Sequence, residues 1–404
     1  MVLVALYLAC FFISLQSLYF YSLSAPLYSV LGVLWLFGIA LLSLLRHPNL
    51  TIQRQFAYIA FSPLIFLFVA ILSYFLRMDA EFNRILSFSI ITLLTLSYAM
   101  LARKIDPLKI VSLLIVLHSS VFFLQFVLFY AFGVDFDPLD LLSEVSQRGW
   151  GGSLNHAALG GFRRLGGLYS EPGTYGTFVG PLVALLFAFG DKSKGQGYII
   201  GLGLVSLVLT FSIFSWIFAA IIASFQFLTS FKRFFIILAA IPGAVWLALP
   251  YIRYRFLSYN SNPDFSGVSF REEIAASVLD FIISGVGEML FGSGLLTSEV
   301  PFEFSGAIND AGLVFFMLYS SGVVGTLILL HLIYVVTRNL GYKGATVALI
   351  LLISKISIFA PMFWLIIALA LHLGLIKRRS FASDRWGWRD HEDKRPSFSR
   401  LRQA

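Results

Sequence analysis

The feature that most constrains this 404-residue chain is a series of long apolar runs that contain almost no charge. A helix needs about 20 apolar residues to cross roughly 30 Å of hydrocarbon. Because the runs are continuous rather than alternating, they predict membrane-crossing helices. Eight single crossings are expected near residues 3–22, 27–45, 56–76, 85–101, 110–132, 174–190, 234–250 and 311–336.

Two further apolar stretches, 197–229 and 345–376, are too long for one crossing and too short for two full crossings. Reversal points at Phe211–Ser212 and within Lys355–Pro361 would divide each stretch into a pair of short helices. The expected fold class is therefore an all-α polytopic membrane protein with about 12 transmembrane helices.

The distribution of Lys and Arg predicts the orientation, because basic loops stay in the cytoplasm. With the N-terminus inside, short inner loops hold eleven of the 29 basic residues, whereas short outer loops hold only Arg77 and Arg84. Nine more lie in the last stretch, from Lys377 onward. We therefore expect a transmembrane domain over residues 1–376, a basic cytoplasmic tail over 377–404, and both termini in the cytoplasm.

Composition narrows the class of protein further. Charged residues make up only 12% of the chain, whereas a soluble domain carries about 25%. A water-soluble enzyme and a nucleic-acid-binding protein are therefore excluded, despite the net charge of +8. Cys10 is the only cysteine, so neither a disulfide framework nor a thiolate metal site is expected.

Two long segments, 133–173 and 251–309, interrupt the hydrophobic pattern, and both fall on the outer face in this topology. Long loops usually carry function. Arginines in outer loops are unexpected, because Lys and Arg are usually concentrated on the cytoplasmic side. An arginine can bind phosphate oxygens through planar, bidentate donors, so a phosphate ligand would explain them. The alternative is that the arginines pair with loop acids such as Glu144, Glu273 and Glu288. The outer arginines are Arg148, Arg163, Arg164, Arg253, Arg255 and Arg271.

The segment from Arg163 to Gly173 combines two arginines, a glycine-punctuated turn and one carboxylate, Glu171. Pro172 suits the first turn of the next helix, where a missing N–H costs nothing. Glu171 would then lie near the positive end of that helix. Simple complementation of the helix dipole is the alternative role for Glu171.

A second group of residues lies in the later loop. Arg271 and Glu272 open an amphipathic helix that is predicted to continue through Ile283. A glycine turn follows at Gly292–Gly294, where backbone can approach a ligand. Asp310 precedes the span that starts at residue 311, and ordinary helix N-capping is its alternative role.

Metal binding is not expected. Asp135-Phe136-Asp137 has the spacing of metal–nucleotide sites in soluble glycosyltransferases, but no strands surround it and it lies on the outer face. His118 and His331 lie inside spans without a partner at ligand spacing, which indicates core or helix-contact roles. His156, in the first loop, is a candidate for the site, although a solvated loop histidine is the commoner case.

Taken together, these residues resemble the bacterial O-antigen and capsule polymerases, the Wzy-type membrane glycosyltransferases. One matching stretch is Arg163-Arg164 with Gly167-Leu168-Tyr169-Ser170-Glu171-Pro172. The other is Arg271 followed by Gly292-Ser293-Gly294 and Asp310. The related O-antigen ligases generally place a histidine about where Asp310 stands, so the aspartate favours a polymerase over a ligase.

The resemblance implies a GT-C-like fold and a metal-independent, inverting transfer without a cofactor. It places the enzyme in the bacterial inner membrane with a periplasmic site, where a growing glycan moves from undecaprenyl pyrophosphate to a lipid-linked repeat unit. Asp310 is the first candidate for the base and Glu171 the second. The expected substrate-binding residues are Arg148, Arg163, Arg164, Arg255, Arg271, Tyr169, His156, Glu272, Gly292 and Gly294.

The expected partners are the lipid-linked donor and acceptor and the membrane lipid, with no nucleic acid; binding of a chain-length regulator protein is left open. The nearest alternative is an O-antigen-ligase-like transferase, which would differ in its acceptor. A transporter or flippase is the alternative from another class. Transporters place charges and broken helices near the bilayer midplane, and here Lys355 is the main charge deep in a span.

Overall fold

A computed structural model describes residues 2–16, 26–47, 52, 54–77, 82–142, 164–189, 194–227, 269–295, 308 and 311–392. Within these ranges every regular element is a helix. The helices are α1 (Val2–Ser14), α2 (Leu27–Arg46), α3 (Arg54–Arg77), α4 (Phe82–Leu101), α5 (Pro107–Phe132), α6 (Pro138–Leu142), α7 (Pro172–Phe189), α8 (Lys194–Leu209), α9 (Ile213–Phe227), α10 (Ser269–Ile283), α11 (Val286–Phe291), α12 (Leu313–Thr337), α13 (Gly344–Ile353) and α14 (Pro361–Glu392).

Among the described residues, six helical segments are long and apolar enough to cross a membrane. They lie in α2, α4, α5, α7, α14 and in α12 with the 3-10 turn Arg338–Leu340 that follows it. Five shorter apolar helical segments, in α1, α3, α8, α9 and α13, accompany them. The fold is thus an all-helical one of the polytopic membrane type. The count of twelve crossings stays a prediction, and the run at 234–250 lies outside the described residues.

The first helix is shorter than the sequence predicts. The apolar run extends to residue 22, but α1 ends at Ser14. The amide of Gln16 donates to the carbonyl of Ile13 at 2.7 Å and also contacts the hydroxyl of Ser29. Because this side chain satisfies a carbonyl in the last turn, the helix can end inside the apolar region.

The chain reverses between α8 and α9, where the sequence places a reversal at Phe211–Ser212. Phe211 has a positive φ of 53°, which ends α8. Along α7, the neighbours from α8 run in the opposite direction, with Gly203 beside Val183 and Ser206 hydrogen-bonded to Tyr175. The neighbours from α9 run in the same direction as α7, so α8 and α9 form an antiparallel pair of short helices.

A second break separates α13 from α14 and falls within the predicted Lys355–Pro361. The carbonyl of Ser354 accepts a hydrogen bond from the backbone N–H of Leu313 at 2.8 Å. The indole of Trp364 donates to the carbonyl of Ile358 at 2.7 Å. Backbone groups freed by the break are therefore satisfied inside the bundle, as a non-helical segment at membrane depth requires.

Helix α12 is kinked at Gly322, whose φ and ψ are 60° and −160°. A continuous helix would direct the N–H groups of residues 323 and 324 to the carbonyls of Tyr319 and Ser320. Instead, these carbonyls accept from the backbone N–H groups of Ser293 at 2.7 Å and Gly294 at 3.0 Å. The predicted glycine turn therefore exists and completes the hydrogen bonding of the kinked helix.

Helix–helix contacts define two ends of the bundle. At the end that we call the basic end, Lys377 donates to the carbonyls of Ala188 and Leu340, both at 2.8 Å. The ends of α4 and α7 lie here, together with Arg46, Arg54, Arg103, Lys104, Lys109, Arg338 and Lys343. The opposite end, which we call the site end, is where α4, α7, α9 and α14 begin.

The centre of the bundle is formed by α7 and the first half of α14, which are buried almost throughout. By contrast, α2 is buried along one face only. Helix α14 continues beyond Lys377 to Glu392, so the expected boundary between 376 and 377 falls inside a helix. Which end of the bundle faces the cytoplasm stays a prediction.

Candidate functional site

The loop before α7 is shaped by its glycines. Gly167 has a φ of +60°, and a Cβ there would lie 3.4 Å from Phe122. The N–H of Tyr169 donates to the carbonyl of Gly166 at 3.0 Å, which closes a turn. The carbonyl of Glu171 then accepts from the N–H of Tyr175 at 3.0 Å, so the helix begins at Pro172 as the sequence predicts.

A buried glutamine in α5 holds this loop. The side-chain oxygen of Gln125 accepts from the N–H of Gly167 at 2.9 Å, and its nitrogen donates to the carbonyl of Phe136 at 2.9 Å. Gln125 is buried, so it joins both ends of the 133–173 segment to one point inside the bundle. Sequence reasoning missed it, although an amide in the largely apolar second half of this 26-residue helix was a usable signal.

Tyr169 is anchored beneath the loop. Its hydroxyl lies 3.3 Å from both the Ser14 carbonyl and Nε2 of His118, and its ring stacks on Phe178 at 5.3 Å. Burial, and secondarily Tyr175, raises the pKa of Tyr169 well above its ordinary value of 10. The hydroxyl therefore stays protonated and can donate, and in this structure Tyr169 positions the loop. Its predicted contact with substrate remains a prediction.

His118 has the helix-contact role that its place in a span indicates. It is buried, and its Nε2 lies 2.8 Å from the hydroxyl of Ser14. That hydroxyl donates to the carbonyl of Phe11 at 2.6 Å. The tautomer with a proton on Nε2 fits these contacts, because it lets His118 donate to Ser14 while Tyr169 donates to the Ser14 carbonyl.

The start of α7 lies directly against the α8–α9 reversal. A Cβ on Gly173 would lie 3.5 Å from the hydroxyl of Ser212, and the hydroxyl of Ser215 donates to the carbonyl of Pro172 at 3.4 Å. Arg164 and Glu171, both half-buried, are the charged residues of the described loop that leads here. The loop that ends at Glu171 therefore leads directly to this break in the transmembrane backbone.

Lys355 reaches the same reversal from another element. Its ammonium lies 5.3 Å from the ring centre of Phe214, the second residue of α9. Arg84, near the start of α4, lies over the ring of Phe359 at 5.2 Å and donates to the carbonyl of Leu295 at 3.0 Å. The sequence assigned no role to Arg84, and its contacts bridge parts of the chain that are distant in sequence.

Helix polarity does not add net charge here. Helices α4, α7, α9 and α14 begin at the site end, and α3, α5, α8 and α13 end there. Each N-terminus carries a partial positive charge and each C-terminus an equal partial negative charge. The positive charge of the site end therefore comes from side chains, which include Arg84, Arg164 and Lys355.

The remaining predicted residues are placed only in part. Gly292 and Gly294 form the turn at the α12 kink, with positive φ values of 66° and 104°. Arg271 and Glu272 lie in the first turns of α10, which ends at Ile283 as predicted. The predicted site residues outside the described ranges are Arg148, His156, Arg163, Arg255 and Asp310.

A metal centre finds no support in the part of the chain that the structure describes. No group of three or more His, Cys, Asp or Glu side chains there could hold a metal ion. Asp137 instead accepts a hydrogen bond from the N–H of Leu139 at 2.9 Å. That contact starts the short helix α6, so Asp137 caps this helix.

Comparisons with known proteins add no relative: no protein-family model matches the chain, and no curated protein matches it.

Proposed function

We propose that this chain is a Wzy-type membrane glycosyltransferase that polymerises lipid-linked oligosaccharides. The observation that carries the proposal is the site end, where Arg164, Glu171 and Lys355 accompany two broken helices. Such an end suits a reaction in which a pyrophosphate departs, because its negative charge grows as the bond to the sugar breaks. Long apolar helices give a lipid-linked substrate access from the bilayer.

The proposed reaction is a single displacement. A hydroxyl oxygen of the acceptor glycan attacks the anomeric carbon of the donor, a new C–O bond forms, and the bond to undecaprenyl pyrophosphate breaks with inversion. The hydroxyl proton passes to a carboxylate, for which Asp310 is the first candidate and Glu171 the second. Arg164 and Arg271, with Arg163 in support, bind the departing pyrophosphate.

The proposed setting is the periplasmic face of a bacterial inner membrane, with both termini in the cytoplasm. Positive charge from the arginines takes the place of a metal ion in stabilising the leaving group. The separation of the basic end from the site end supports this orientation, since basic segments stay in the cytoplasm.

Glycan ladders test the proposal. A bacterial strain that makes and flips the repeat unit but lacks its polymerase should regain a ladder of long glycans when it carries this gene. Asp310→Asn should abolish most of the ladder, because asparagine retains capping capacity but cannot accept the proton. If cells without the gene still attach single repeat units but do not elongate them, the result supports a polymerase. If those cells no longer attach the glycan at all, the result supports the ligase alternative.

A transporter is the second candidate, because one observation favours it. The α8–α9 and α13–α14 breaks and the Gly322 kink are the kind of discontinuous helices that transporters place around substrate and ion sites. The purified chain separates the two functions. Elongation of lipid-linked units in detergent, where no compartments exist, requires a transferase, whereas substrate movement across vesicles without elongation requires a transporter.

A further inference from the structure

The segment between α13 and α14 has two different faces. Ile356 and Ile358 are buried, whereas Lys355, Ser357 and Phe359 are partly exposed. The N–H of Ala360 donates to the carbonyl of Ser357 at 3.0 Å, which closes a turn over Ile358 and Phe359. Lys355 precedes this turn and Phe359 lies within it, so they stand at the two ends of the partly exposed face.

A cation lies at each end of this face. The ammonium of Lys355 is near Phe214 in α9, and the guanidinium of Arg84 lies over the ring of Phe359. Arg84 also donates to the carbonyl of Leu295, in the turn that completes the kinked helix α12. The face thus joins the α8–α9 reversal, which lies against the start of α7, to the glycine turn that the sequence predicted as part of a substrate site.

The segment is held rigidly enough to position a side chain. The carbonyl of Ser354 is bonded to the N–H of Leu313, and the hydroxyl of Ser357 accepts from the N–H of Phe359 at 3.2 Å. The Trp364 indole fixes the carbonyl of Ile358. Lys355 is half-buried at the site end, because its neighbour Ser354 bonds the first residue of α12. Ionisable residues inside a transmembrane bundle are candidates for functional sites.

We propose that Lys355 is a phosphate-binding residue that contacts the pyrophosphate of a lipid-linked substrate. Arg84 is a positioning residue that holds the far end of the same face. The inference rests on the proposed function for the identity of the lipid. The ammonium of lysine is a compact charge with three hydrogen-bond donors on a flexible stem, so it can follow a phosphate oxygen. The predicted arginines supply planar contacts; Lys355 supplies a further one from within the bundle.

The test measures binding directly, so that it does not depend on transfer. The full-length chain is placed in phosphatidylcholine nanodiscs and titrated with farnesyl pyrophosphate. The wild type should bind, and Lys355→Gln should weaken binding by roughly tenfold or more, because charge-assisted hydrogen bonds to phosphate are lost. Lys355→Arg should retain most of the affinity. Lys104→Gln is the matched control, since Lys104 donates to Ser43 between helices at the basic end.

Three further arms identify the ligand and guard against a folding defect. Inorganic pyrophosphate should bind more weakly than farnesyl pyrophosphate, and phosphatidylglycerol should not displace the farnesyl compound; the reverse of either result would overturn the assignment to a lipid pyrophosphate. Lys355→Met keeps the apolar stem beside Phe214. If Lys355→Gln unfolds, a folded Lys355→Met variant must show the same weakened binding, or the proposal is wrong.

The outcomes also separate this inference from the proposed function. Unchanged affinity in Lys355→Gln, or an equal loss in Lys104→Gln, overturns the inference even if the wild type elongates glycans. If binding depends on Lys355 but the chain never elongates glycans, the phosphate site is supported and the proposed polymerase function is wrong.

Discussion

Two of the helices that begin with an acidic residue followed by proline, as α6 also does, lie at opposite ends of the bundle. At the basic end, Asp106 accepts from the N–H of Lys109 at 3.2 Å and lies 3.5 Å from the Lys109 ammonium, both side chains being well exposed. At the site end, Glu171 leads into Pro172 from a loop anchored by Gln125 and Tyr169. Its helix starts against the α8–α9 reversal.

The comparison teaches that the local motif specifies a helix start and nothing more. Asp106 needs only its own helix to explain it, since capping accounts for its contacts. The surroundings of Glu171 are different, because buried polar side chains from α1 and α5 hold its loop in place. A buried polar group is destabilising unless its hydrogen bonds are satisfied. The loop of Glu171 therefore depends on contacts with α1 and α5, whereas Asp106 needs no such contacts.

The largest effect on stability is expected from a pair of glycines, Gly292 at the site end and Gly341 at the basic end, which have the same backbone conformation. A Cβ on Gly292 would lie 2.4 Å from the Tyr319 carbonyl oxygen, whereas a Cβ on Gly341 meets nothing within 4 Å. Gly292→Ala should lower the free energy of unfolding by about 3 kcal/mol or more, and Gly341→Ala by about 1 kcal/mol. Thermal unfolding in detergent measures both; equal losses would show that the turn can relax.

Removing the amide of Gln125 should have the next largest effect. Gln125→Ala leaves the N–H of Gly167 and the carbonyl of Phe136 without this partner, at a cost of about 2–3 kcal/mol. Gln125→Met keeps most of the side-chain volume and loses both hydrogen bonds, so its stability should fall between those of the wild type and Gln125→Ala. Unfolding midpoints of the three proteins give the order, and a wild-type midpoint for Gln125→Ala would refute the anchoring role.

Arginines over aromatic rings offer a third pair. Arg84 stacks on Phe359 and bonds Leu295, whereas exposed Arg338 lies 5.9 Å from the ring centre of Tyr334. Arg84→Gln should cost about 1–2 kcal/mol, and Arg338→Gln at most about 0.5 kcal/mol. A greater loss of stability in Arg338→Gln than in Arg84→Gln would contradict this comparison.

The last comparison is between two buried tyrosines that each contact a histidine. Tyr169 approaches His118 beneath the loop, and Tyr98 lies 3.1 Å from Nδ1 of His372. Each change to Phe should cost about 1 kcal/mol. Only Tyr169→Phe should also reduce glycan elongation, because only Tyr169 holds the loop of Glu171. Equal elongation by the two variants would contradict this distinction.

The sequence predicted what depends on neighbouring residues. The breaks at Phe211–Ser212 and within Lys355–Pro361, the helix start at Pro172 and the Gly292–Gly294 turn all follow from local backbone chemistry. The early end of α1 did not, because it depends on Gln16 rather than on hydropathy.

Contacts between distant residues could not be predicted from periodicity. The bond from Arg84 to Leu295 joins residues 211 positions apart, and the contact of Ser14 with His118 joins residues 104 apart. Arg84, Ser14 and His118 are ordinary polar residues in the sequence, and these contacts form only when the helices pack. The polar anchors of the site end were missed for this reason.

The most direct test of the account is elongation of lipid-linked repeat units by the purified chain, with the acidic residues changed one at a time. Asp310→Asn or Glu171→Gln should lower the rate by about 10²-fold or more, according to which carboxylate takes the proton. Asp106→Asn, the matched change at the basic end, should retain the wild-type rate. Wild-type rates in both site-end variants, or an equal loss in Asp106→Asn, would contradict the claim that transfer chemistry belongs to the site end.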